Sequence, residues 1–345
     1  MQLARLAACS ILVALLSSTV ITSNSLAQEP QIEFQDWLAT LIAEARDRGI
    51  REDIIDVALK DVTPIPQVVK NDRNQAEFTE TFDQYLEKRV TSWRIDTGRQ
   101  RLREHQALLT KVGEHYGVEP RFIVAFWGIE TNYGSFTGGT DVVRALVTLA
   151  YDPRRSAYFR RELLSALDIL NEGHIEHADM KGSWAGAMGQ SQFMPSSFQD
   201  FAQDFDEDGK RDIWNSHADV FASIANYLKA AQWRSDQTWG REVQLPDDYL
   251  TKAPQWQQAP AEYSCSVLRH HSVQMPLRDW QAAGVRRADG SDLPANDFLA
   301  SIILPDGENG RAFITYNNFR TILKYNCANN YALAIGHLAD KFIGY

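Results

Sequence analysis

The sequence predicts a mainly α-helical fold of the α+β class, with one small β part near the C-terminal end. Two observations predict this class. Apolar residues recur at helical spacing through most of residues 31–233. After about residue 240 the pattern changes, and two short apolar runs flank a turn at residues 305–310, which is typical of a β-hairpin.

The first part of the chain is predicted to be helical. Gly117 is expected to end the last helix of this part, and Pro64 and Pro66 are expected to follow the end of the second helix. In the third helix, Phe82 and Tyr85 share the helical period. The predicted helices cover residues 34–45, 54–59, 78–90 and 99–116.

The middle of the chain contains the most apolar predicted helix, at residues 120–130. Pro120 suits its first position, because the missing N–H would have no partner there, and Gly134 can end it. Thr140 or Asp141 is expected to cap the helix that follows. Further helices are predicted over residues 158–171, 196–204 and 219–231, with a glycine-rich loop over residues 183–197.

The C-terminal part combines a hairpin with a helix. Residues 300–304 and 311–316 are predicted to be its two strands, joined by the turn sequence PDGENG. Residues 330–343 are predicted to form a closing helix.

The composition describes a globular chain of 345 residues, 44% of them apolar, which is enough for a large core. A net charge of −10 at pH 7 argues against binding to nucleic acid or to an anionic membrane surface. The chain has 9 Trp, 12 Tyr and 16 Phe, and flat apolar faces with polar edges suit sugar rings. We expect a monomer.

Residues 1–27 have the features of a cleaved signal peptide. Arg5 supplies positive charge, residues 11–20 are apolar, and Ser25-Leu26-Ala27 forms a cleavage signal. The apolar run is too short for a membrane span. Cys9 precedes that run instead of following it, so no lipoprotein signal is predicted. We therefore expect a soluble, exported, periplasmic protein.

Two cysteines, Cys265 and Cys327, remain after export. An oxidising compartment permits a disulfide between them, and two separate buried thiols are the alternative. A bridge would close a loop of roughly 60 residues, which is worth about 3–4 kcal/mol on the chain-entropy model.

Glu130 is the candidate catalytic residue. It lies in the last turn of the predicted helix 120–130, with Phe126 and Trp127 one turn before it. An isolated carboxylate in such surroundings loses hydration, which favours its protonated form, and a general acid must be protonated. The alternative is a helix-end carboxylate that pairs with a nearby arginine.

Two further stretches have no obvious packing purpose. The first is GSWAGAMGQSQFMP at residues 182–195, whose glycines let a ligand approach the backbone closely. It offers neutral polar groups and two aromatic faces, although an ordinary glycine-rich turn is the alternative. The second is Tyr325-Asn326, with Tyr331 six residues later.

These stretches resemble a known family. The sequences GIETNYG at 128–134, GAMGQSQFMPSS at 186–197, ANY at 225–227, LPDG at 304–307 and YN at 325–326 occur in the order typical of lytic murein transglycosylase B proteins. The resemblance covers nearly the whole chain from about Phe34. It implies a lysozyme-like helical catalytic core, similar to goose-type lysozyme, with flanking helices and a small β-hairpin subdomain.

We expect four parts. They are the signal peptide at 1–27, an N-terminal helical part at 28–118, the catalytic core with an EF-hand-like loop at 119–233, and the β subdomain with the closing helix at 234–345. Some relatives carry a further peptidoglycan-binding module or a lipid anchor, and neither is expected here.

The resemblance implies an enzyme that acts on peptidoglycan glycan strands. The family cleaves the β-1,4 bond between N-acetylmuramic acid and N-acetylglucosamine without water, and forms 1,6-anhydro-muramic acid ends. Glu130 matches the catalytic acid/base, and Ser183 and Gln192 match polar residues of the sugar site. Positions around the cleft are matched by Tyr85, Tyr227, Tyr325, Asn326 and Tyr331.

A single carboxylate fits this chemistry. Ordinary glycosidases use two, but neither polar stretch contains a second acid, and Asp141 and Asp152 are better explained by a cap and a turn. One acid suffices if the nucleophile belongs to the substrate, and no cofactor is required. A hydrolytic muramidase and an inactive cell-wall-binding scaffold remain alternatives.

Residues 204–212, DFDEDGKRD, follow the start of an EF-hand loop, with acids at positions 1, 3, 5 and 9 and glycine at position 6. Position 12 is Asn215 instead of glutamate, and the resemblance suggests the later Asp219 as a substitute. We expect weak structural Ca²⁺ binding, roughly 10⁻⁴–10⁻³ M, or else a solvated acidic turn. The candidate ligands are Asp204, Asp206, Asp208, Lys210 and Asp219.

Overall fold

The computed structural model describes residues 33–73, 80–257 and 265–343. The expected signal peptide and the first two residues of the predicted helix 78–90, Phe78 and Thr79, lie outside these ranges. Within them the helices are α1 Phe34–Asp47, α2 Glu52–Leu59, α3 Pro66–Arg73, α4 Phe82–Arg89, α5 Ser92–Glu104, α6 Gln106–Tyr116, α7 Pro120–Thr131, α8 Val142–Tyr151, α9 Ser156–Asn171, α10 Pro195–Phe201, α11 His217–Ala230, α12 Tyr249–Lys252, α13 Leu277–Ala282, α14 Asn317–Tyr325 and α15 Asn329–Asp340. The strands are β1 Thr140–Asp141, β2 Lys181–Gly182, β3 Gly240–Gln244, β4 Met275–Pro276, β5 Arg286–Arg287, β6 Leu299–Ile303 and β7 Ala312–Thr315.

Helix α7 lies at the centre of a large hydrophobic cluster. It starts with Pro120 in the first turn, and residues 122–128 are all buried. Helices α5, α6, α11 and α15 pack against it. A helix that is apolar on all sides must be surrounded in this way, so the predicted core helix is confirmed, as is the mainly helical α+β class.

A second hydrophobic cluster joins the N-terminal helices to those that follow α7. Leu41 of α1 and Leu59 of α2 share it with Leu146 of α8 and Leu163 of α9. Helix α3 packs on α8, and α8 packs on α9. Helices α1 to α3 therefore share one hydrophobic cluster with α8 and α9, and in the described residues they form no core of their own.

Five strands form an antiparallel sheet in the order β4-β6-β7-β3-β5. The predicted hairpin is confirmed as its centre, where Ile302 pairs with Ile314. Trp280 of α13 packs on this pair. The sequence does not predict the other strands, because β4 and β5 have two residues each and β3 contains Arg241 and Glu242.

A separate two-strand pair brings two loops together. Strand β1 pairs antiparallel with β2, with Thr140 opposite Gly182. A Cβ atom at Gly138 would lie 2.2 Å from the Gly182 carbonyl oxygen, so this approach requires glycine. The loop after α7 is thereby held beside the loop that contains Ser183.

The predicted long helix over residues 99–116 is wrong in its start and its continuity. The structure has two helices, α5 and α6, which meet at His105, where φ is −106° and ψ is 18°. Helix α5 starts earlier because the Thr91 side chain caps it, accepting a hydrogen bond from the Arg94 N–H at 3.2 Å. Gly117 ends α6 with a φ of 72°, as predicted.

The sequence analysis also misses α3 and α14. Helix α3 begins at Pro66, and proline is favoured at the first position of a helix. Pro66, which was expected to follow the end of a helix, therefore marks the start of one. In the described part of the chain, no helix has the length and apolar character that crossing a membrane requires.

Candidate active site

Glu130 lies in the last turn of α7 and is partly exposed, whereas Phe126, one turn before it, is fully buried. The hydroxyl of Tyr331, from α15, donates a hydrogen bond to Oε1 of Glu130. Burial and the nearby carboxyl of Glu130 hold the pKa of Tyr331 well above its ordinary value, so the hydroxyl keeps its proton. The sequence suggested an isolated carboxylate, but the structure gives Glu130 a buried partner.

The turn after Glu130 is unusual, because three consecutive residues have left-handed backbone. Their φ angles are 50° at Asn132, 61° at Tyr133 and 79° at Gly134. A non-glycine residue in this conformation costs of the order of 1–2 kcal/mol. The expectation that Gly134 ends the helix is therefore wrong by two positions, since Asn132 is already the left-handed C-cap.

Arg94 of α5 holds this turn. Its guanidinium donates hydrogen bonds to the Gly128 carbonyl at 3.0 Å and to the side-chain oxygen of Asn132, and its own carbonyl accepts one from the Tyr133 hydroxyl at 2.5 Å. Burial lowers the pKa of the Arg94 guanidinium. Nothing in the sequence distinguishes Arg94 from the other arginines of α5.

An aromatic cluster adjoins Glu130 on the side of α14 and α15. The Tyr325 ring lies 4.8 Å from the Phe126 ring and 4.7 Å from the Tyr227 ring, measured between centroids. The Tyr325 hydroxyl donates to the Ser191 carbonyl. The Tyr227 hydroxyl donates to the Lys324 carbonyl at 2.6 Å, and burial raises the pKa of Tyr227 to about 12. These phenols are therefore neutral, packed side chains.

A cavity of about 310 Å³ opens beside Glu130. It is formed by the end of α7, by the loop 136–140, by the loop 182–184 and by the side chains of Asn71 and Gln192. Among the described residues that line it, Glu130 is the only acidic one. The predicted residues Ser183 and Gln192 lie in this cavity together with Glu130.

Ser183 and Gln192 also shape the cavity wall. The Ser183 hydroxyl oxygen accepts hydrogen bonds from the N–H groups of Ala185 at 3.3 Å and Ala187 at 3.0 Å. Its own proton can be donated elsewhere. Nε2 of Gln192 donates to the Thr137 carbonyl at 3.0 Å, so its amide oxygen remains an acceptor for other groups. Each side chain can therefore stabilise the cavity wall and still form a hydrogen bond with a ligand.

Five predicted residues do not line this cavity. Two of them, Tyr325 and Tyr331, pack near the Phe126 ring. Tyr227 is packed in the aromatic cluster. Asn326 is exposed at the C-terminal end of α14. The Arg89 guanidinium lies over the Tyr85 ring, 5.3 Å from its centroid, and Tyr85 belongs to α4, which packs against α15, the helix that carries Tyr331.

Gln190 is a structural residue whose importance the sequence analysis does not recognise. Its Oε1 accepts a hydrogen bond from Nε1 of Trp127 at 2.7 Å, and its Nε2 donates to the Trp214 carbonyl at 2.7 Å. Its carbonyl accepts from the Thr131 hydroxyl at 3.0 Å. Gln190 thereby joins the helix of Glu130 to the acidic loop 204–219.

That acidic loop brings three of the predicted ligands together. One carboxylate oxygen each of Asp204, Asp206 and Asp219 lie within 4.8 Å of one another. Asp219 is fully buried, and burial, together with the two neighbouring acids, raises its pKa to about 6. Such a concentration of oxygen ligands fits a hard cation such as Ca²⁺.

The remaining predicted ligands are placed differently. Asp208 lies outside the group of three, and its Oδ1 accepts a hydrogen bond from the Lys210 N–H at 2.8 Å. An EF-hand uses only the backbone carbonyl at the position of Lys210. Asp212, the acid at position 9, is not one of the predicted ligands; its Oδ1 accepts from the Asn215 N–H at 2.9 Å, so it stabilises the loop backbone.

Cys265 and Cys327, which are 62 positions apart in the chain, form a disulfide with their Cα atoms 5.4 Å apart. Cys327 follows Tyr325 by two residues. The bridge therefore fixes the segment between α14 and α15, which supply Tyr325 and Tyr331. Asp141 caps α8 and Asp152 accepts from the Arg154 N–H at 3.0 Å, as the sequence predicts.

Comparisons with known proteins agree with this geometry. A sequence profile of the family described as "Transglycosylase SLT domain" matches residues 33–340. The chain is 33% identical over 264 residues to the membrane-bound lytic murein transglycosylase B of Escherichia coli strain K12. That match covers 74% of this chain and 66% of the relative, so the chain spans slightly less than two thirds of the relative's length.

Solved structures share the fold. SltB3 from Pseudomonas aeruginosa, in complex with NAG-anhNAM-pentapeptide, is 43% identical with a TM-score of 0.81, covering 90% of this chain and 80% of SltB3. The Escherichia coli lytic transglycosylase Slt35, in complex with calcium, is 27% identical with a TM-score of 0.72. That likeness covers 92% of this chain and 94% of Slt35.

Proposed function

The chain belongs to the transglycosylase SLT domain family, and we propose that it is a lytic transglycosylase. Its substrate is the β-1,4 bond between N-acetylmuramic acid and N-acetylglucosamine in peptidoglycan. One observation carries this proposal: Glu130 is the only acid among the described residues of the cavity that also contains Ser183 and Gln192. A two-carboxylate glycosidase would need a second acid opposite it.

The reaction starts with Glu130 as the general acid. The protonated carboxyl donates its proton to the glycosidic oxygen, and the bond from that oxygen to C1 of the muramic acid breaks. The substrate's own N-acetyl carbonyl oxygen stabilises the cationic centre at C1. The leaving N-acetylglucosamine carries the proton away on its 4-hydroxyl.

Glu130 then acts as the base. Its carboxylate accepts the proton of the muramic acid 6-hydroxyl, whose oxygen attacks C1 and forms the 1,6-anhydro ring. Glu130 is protonated again, so the cycle closes without water. The attacking hydroxyl is tethered to the same ring, and well-oriented intramolecular groups reach effective concentrations of about 10⁵ M or more.

The surrounding residues position these groups. Tyr331 donates to Oε1 of Glu130 and orients the carboxyl. Ser183 and Gln192 offer a hydroxyl and an amide to the sugar, while Tyr325 packs against Phe126 of α7 and donates to the Ser191 carbonyl, which supports the helix of Glu130. We propose that Tyr85, Tyr227 and Asn326 contact the glycan beyond this cavity, around the cleft.

We further propose that residues 119–233 form the catalytic core of a monomer that is exported to the periplasm after cleavage near Ala27. Ca²⁺ bound between Asp204, Asp206 and Asp219 would stabilise the acidic loop and take no part in the reaction. The donor set of three converging carboxylates supports this site.

The chemical structure of the released product tests the proposed function. Purified protein is incubated with peptidoglycan sacculi in ¹⁸O-water, and the released muropeptides are analysed by mass spectrometry. Anhydro-muramic acid ends without ¹⁸O are expected. Labelled reducing ends would instead identify a hydrolytic muramidase, and the absence of fragments would identify a binding scaffold.

A further inference from the structure

We propose that Phe136 and Trp184 form a platform on which one sugar ring of the glycan stacks beside Glu130. The inference rests on the proposed function, because it assigns part of the substrate's recognition to this cavity. It adds a specificity determinant that the motif residues do not include.

The exposure of Phe136 is the first argument. Its side chain is 70% exposed, the most of any large apolar side chain in the described residues, and it lines the cavity of Glu130. Removing the apolar surface of a phenylalanine ring from water is favourable. An exposed ring at the edge of a ligand cavity therefore gains part of this free energy when a ligand covers one of its faces.

The fixed backbone around Phe136 is the second argument. The Phe136 N–H donates to the Thr131 carbonyl at 3.0 Å, and the next residue, Thr137, accepts from the Gln192 amide at 3.0 Å. The exposed ring thus sits between two anchored peptide groups, and one anchor is the last turn of the helix of Glu130. A ring held in this way binds a ligand with little loss of backbone entropy.

Trp184 supplies the second aromatic surface. It is partly exposed, and the tight turn that carries it is closed by a hydrogen bond from the Ser183 N–H to the Ala187 carbonyl at 2.8 Å. Gly186 in this turn has a φ of 93°, and a Cβ there would lie 2.6 Å from the Leu146 side chain. The turn is therefore anchored on the core of α8.

The shape of the ligand fits these surfaces. In β-1,4-linked N-acetylhexosamines the ring substituents are equatorial, so both faces of the ring consist of C–H groups and match an aromatic face. A cavity of about 310 Å³ is at the lower end of the range for small-molecule sites, about 300–1,000 Å³. It therefore has room for one such ring, next to the bond that Glu130 cleaves.

The experiment measures binding without turnover. The Glu130→Gln variant is titrated calorimetrically with a peptide-free tetrasaccharide of two N-acetylglucosamine–N-acetylmuramic acid repeats. Adding Phe136→Ala should weaken the Kd about tenfold, while Phe136→Trp should restore it. Leu299→Ala is the matched control, since Leu299 is likewise an exposed apolar residue, at 51%, but lies on β6, outside the cavity.

Proton NMR supplies a second readout. Ring-current shifts of the sugar C–H signals should appear on binding to the Glu130→Gln variant and diminish when Phe136→Ala is added. In the active enzyme, Phe136→Ala should raise KM more than it lowers kcat.

A Kd that Phe136→Ala leaves within twofold, or unshifted sugar signals, would overturn the platform, and so would undetectable binding by Glu130→Gln. The proposed function is judged separately, by the chemistry of the released ends. The two ideas can therefore fail independently.

Discussion

The Tyr331 hydroxyl donates a hydrogen bond to Oε1 of Glu130 across 201 positions of the chain. The two residues belong to α15 and α7, which pack against each other within one hydrophobic cluster. The acid is therefore aligned by the packing of two buried helices. The Cys265–Cys327 bridge lies just before α15 and limits the movement of its start.

Glu130→Gln should abolish cleavage while fold and glycan binding persist. The amide has nearly the shape of the carboxyl and can still accept from Tyr331, but it cannot supply the proton. Loss of general acid catalysis typically costs about 10²–10⁴-fold, and here the same group acts twice. The release of muropeptides is measured, with Glu119→Gln at the other end of α7 as the control. Near-normal release by Glu130→Gln would exclude Glu130 as the acid.

Tyr331→Phe should lower kcat by about 10–100-fold, because a hydrogen bond to a charged group is worth about 1.5–3 kcal/mol. KM should change little, since the ring and its packing remain. Steady-state kinetics on soluble glycan measure this, with Tyr116→Phe as the control. The Tyr116 hydroxyl donates a hydrogen bond of 3.1 Å to Gln203, and neither residue lines the cavity. Equal kcat values for the two variants would show that Tyr331 does not orient the acid.

Calcium should raise the melting temperature by a few degrees, because a ligand that binds only the folded state stabilises it, by about 1.4 kcal/mol at ten times the Kd. Asp206→Asn should remove this rise. Glu207→Gln, in the same loop but outside the carboxylate group, should retain it. Thermal melts with millimolar calcium and with chelator decide the matter, and identical curves for the parent protein would rule out the metal site.

Acidification should destabilise the protein through its buried histidines. His337 lies among the rings of Phe82, Trp239 and Phe313, and burial lowers its pKa to about 4; burial lowers that of His271 to about 4 as well. The ordinary value in the unfolded chain is about 6.5. Between these values only the unfolded chain takes up the proton, so the free energy of unfolding decreases as the pH falls from about 6.5 to about 4.

The expected decrease is about 1.4 kcal/mol per pH unit for each such histidine. Urea unfolding at pH 7.5 and pH 5 measures it. In His337→Leu the difference between the two pH values should be smaller than in the parent protein. An unchanged difference would mean that His337 is protonated in the folded state.

The double variant Cys265→Ser, Cys327→Ser should lose about 3–4 kcal/mol of stability, since the unfolded chain regains the freedom of a loop of roughly 60 residues. Denaturant unfolding measures the loss. Reductant should destabilise the parent protein by a similar amount and leave the double variant unchanged; an equal response of both would mean that the bridge does not contribute.

Features with a local signal could be predicted from the sequence. Pro120 marks the start of α7, Gly117 the end of α6, and the hairpin follows from two apolar runs around one turn. The family resemblance is confirmed over residues 33–340. Its motifs also directed attention to Glu130, Ser183 and Gln192, which the fold brings into one cavity.

Features that depend on distant partners could not be predicted. The break at His105 has no glycine or proline to indicate it. Arg94 and Gln190 resemble surface residues in the sequence, yet each is buried and hydrogen-bonded to groups far away in the chain. Phe136 has an ordinary context, and only the fold reveals that its ring is exposed at the cavity.

The hydrogen bonds of Gln190 affect how the acidic loop 204–219 unfolds locally. Its side chain bonds to Trp127 and to the Trp214 carbonyl, and its N–H donates to the Ile213 carbonyl at 2.8 Å. Local unfolding of the acidic loop would therefore leave Nε2 and the backbone N–H of Gln190, the residue that holds Nε1 of Trp127, without their carbonyl partners, which is costly for buried groups. The loop and the end of α7 should then exchange their amide hydrogens as one cooperative unit, so that opening of a surface loop also loosens the turn of α7 that carries Glu130.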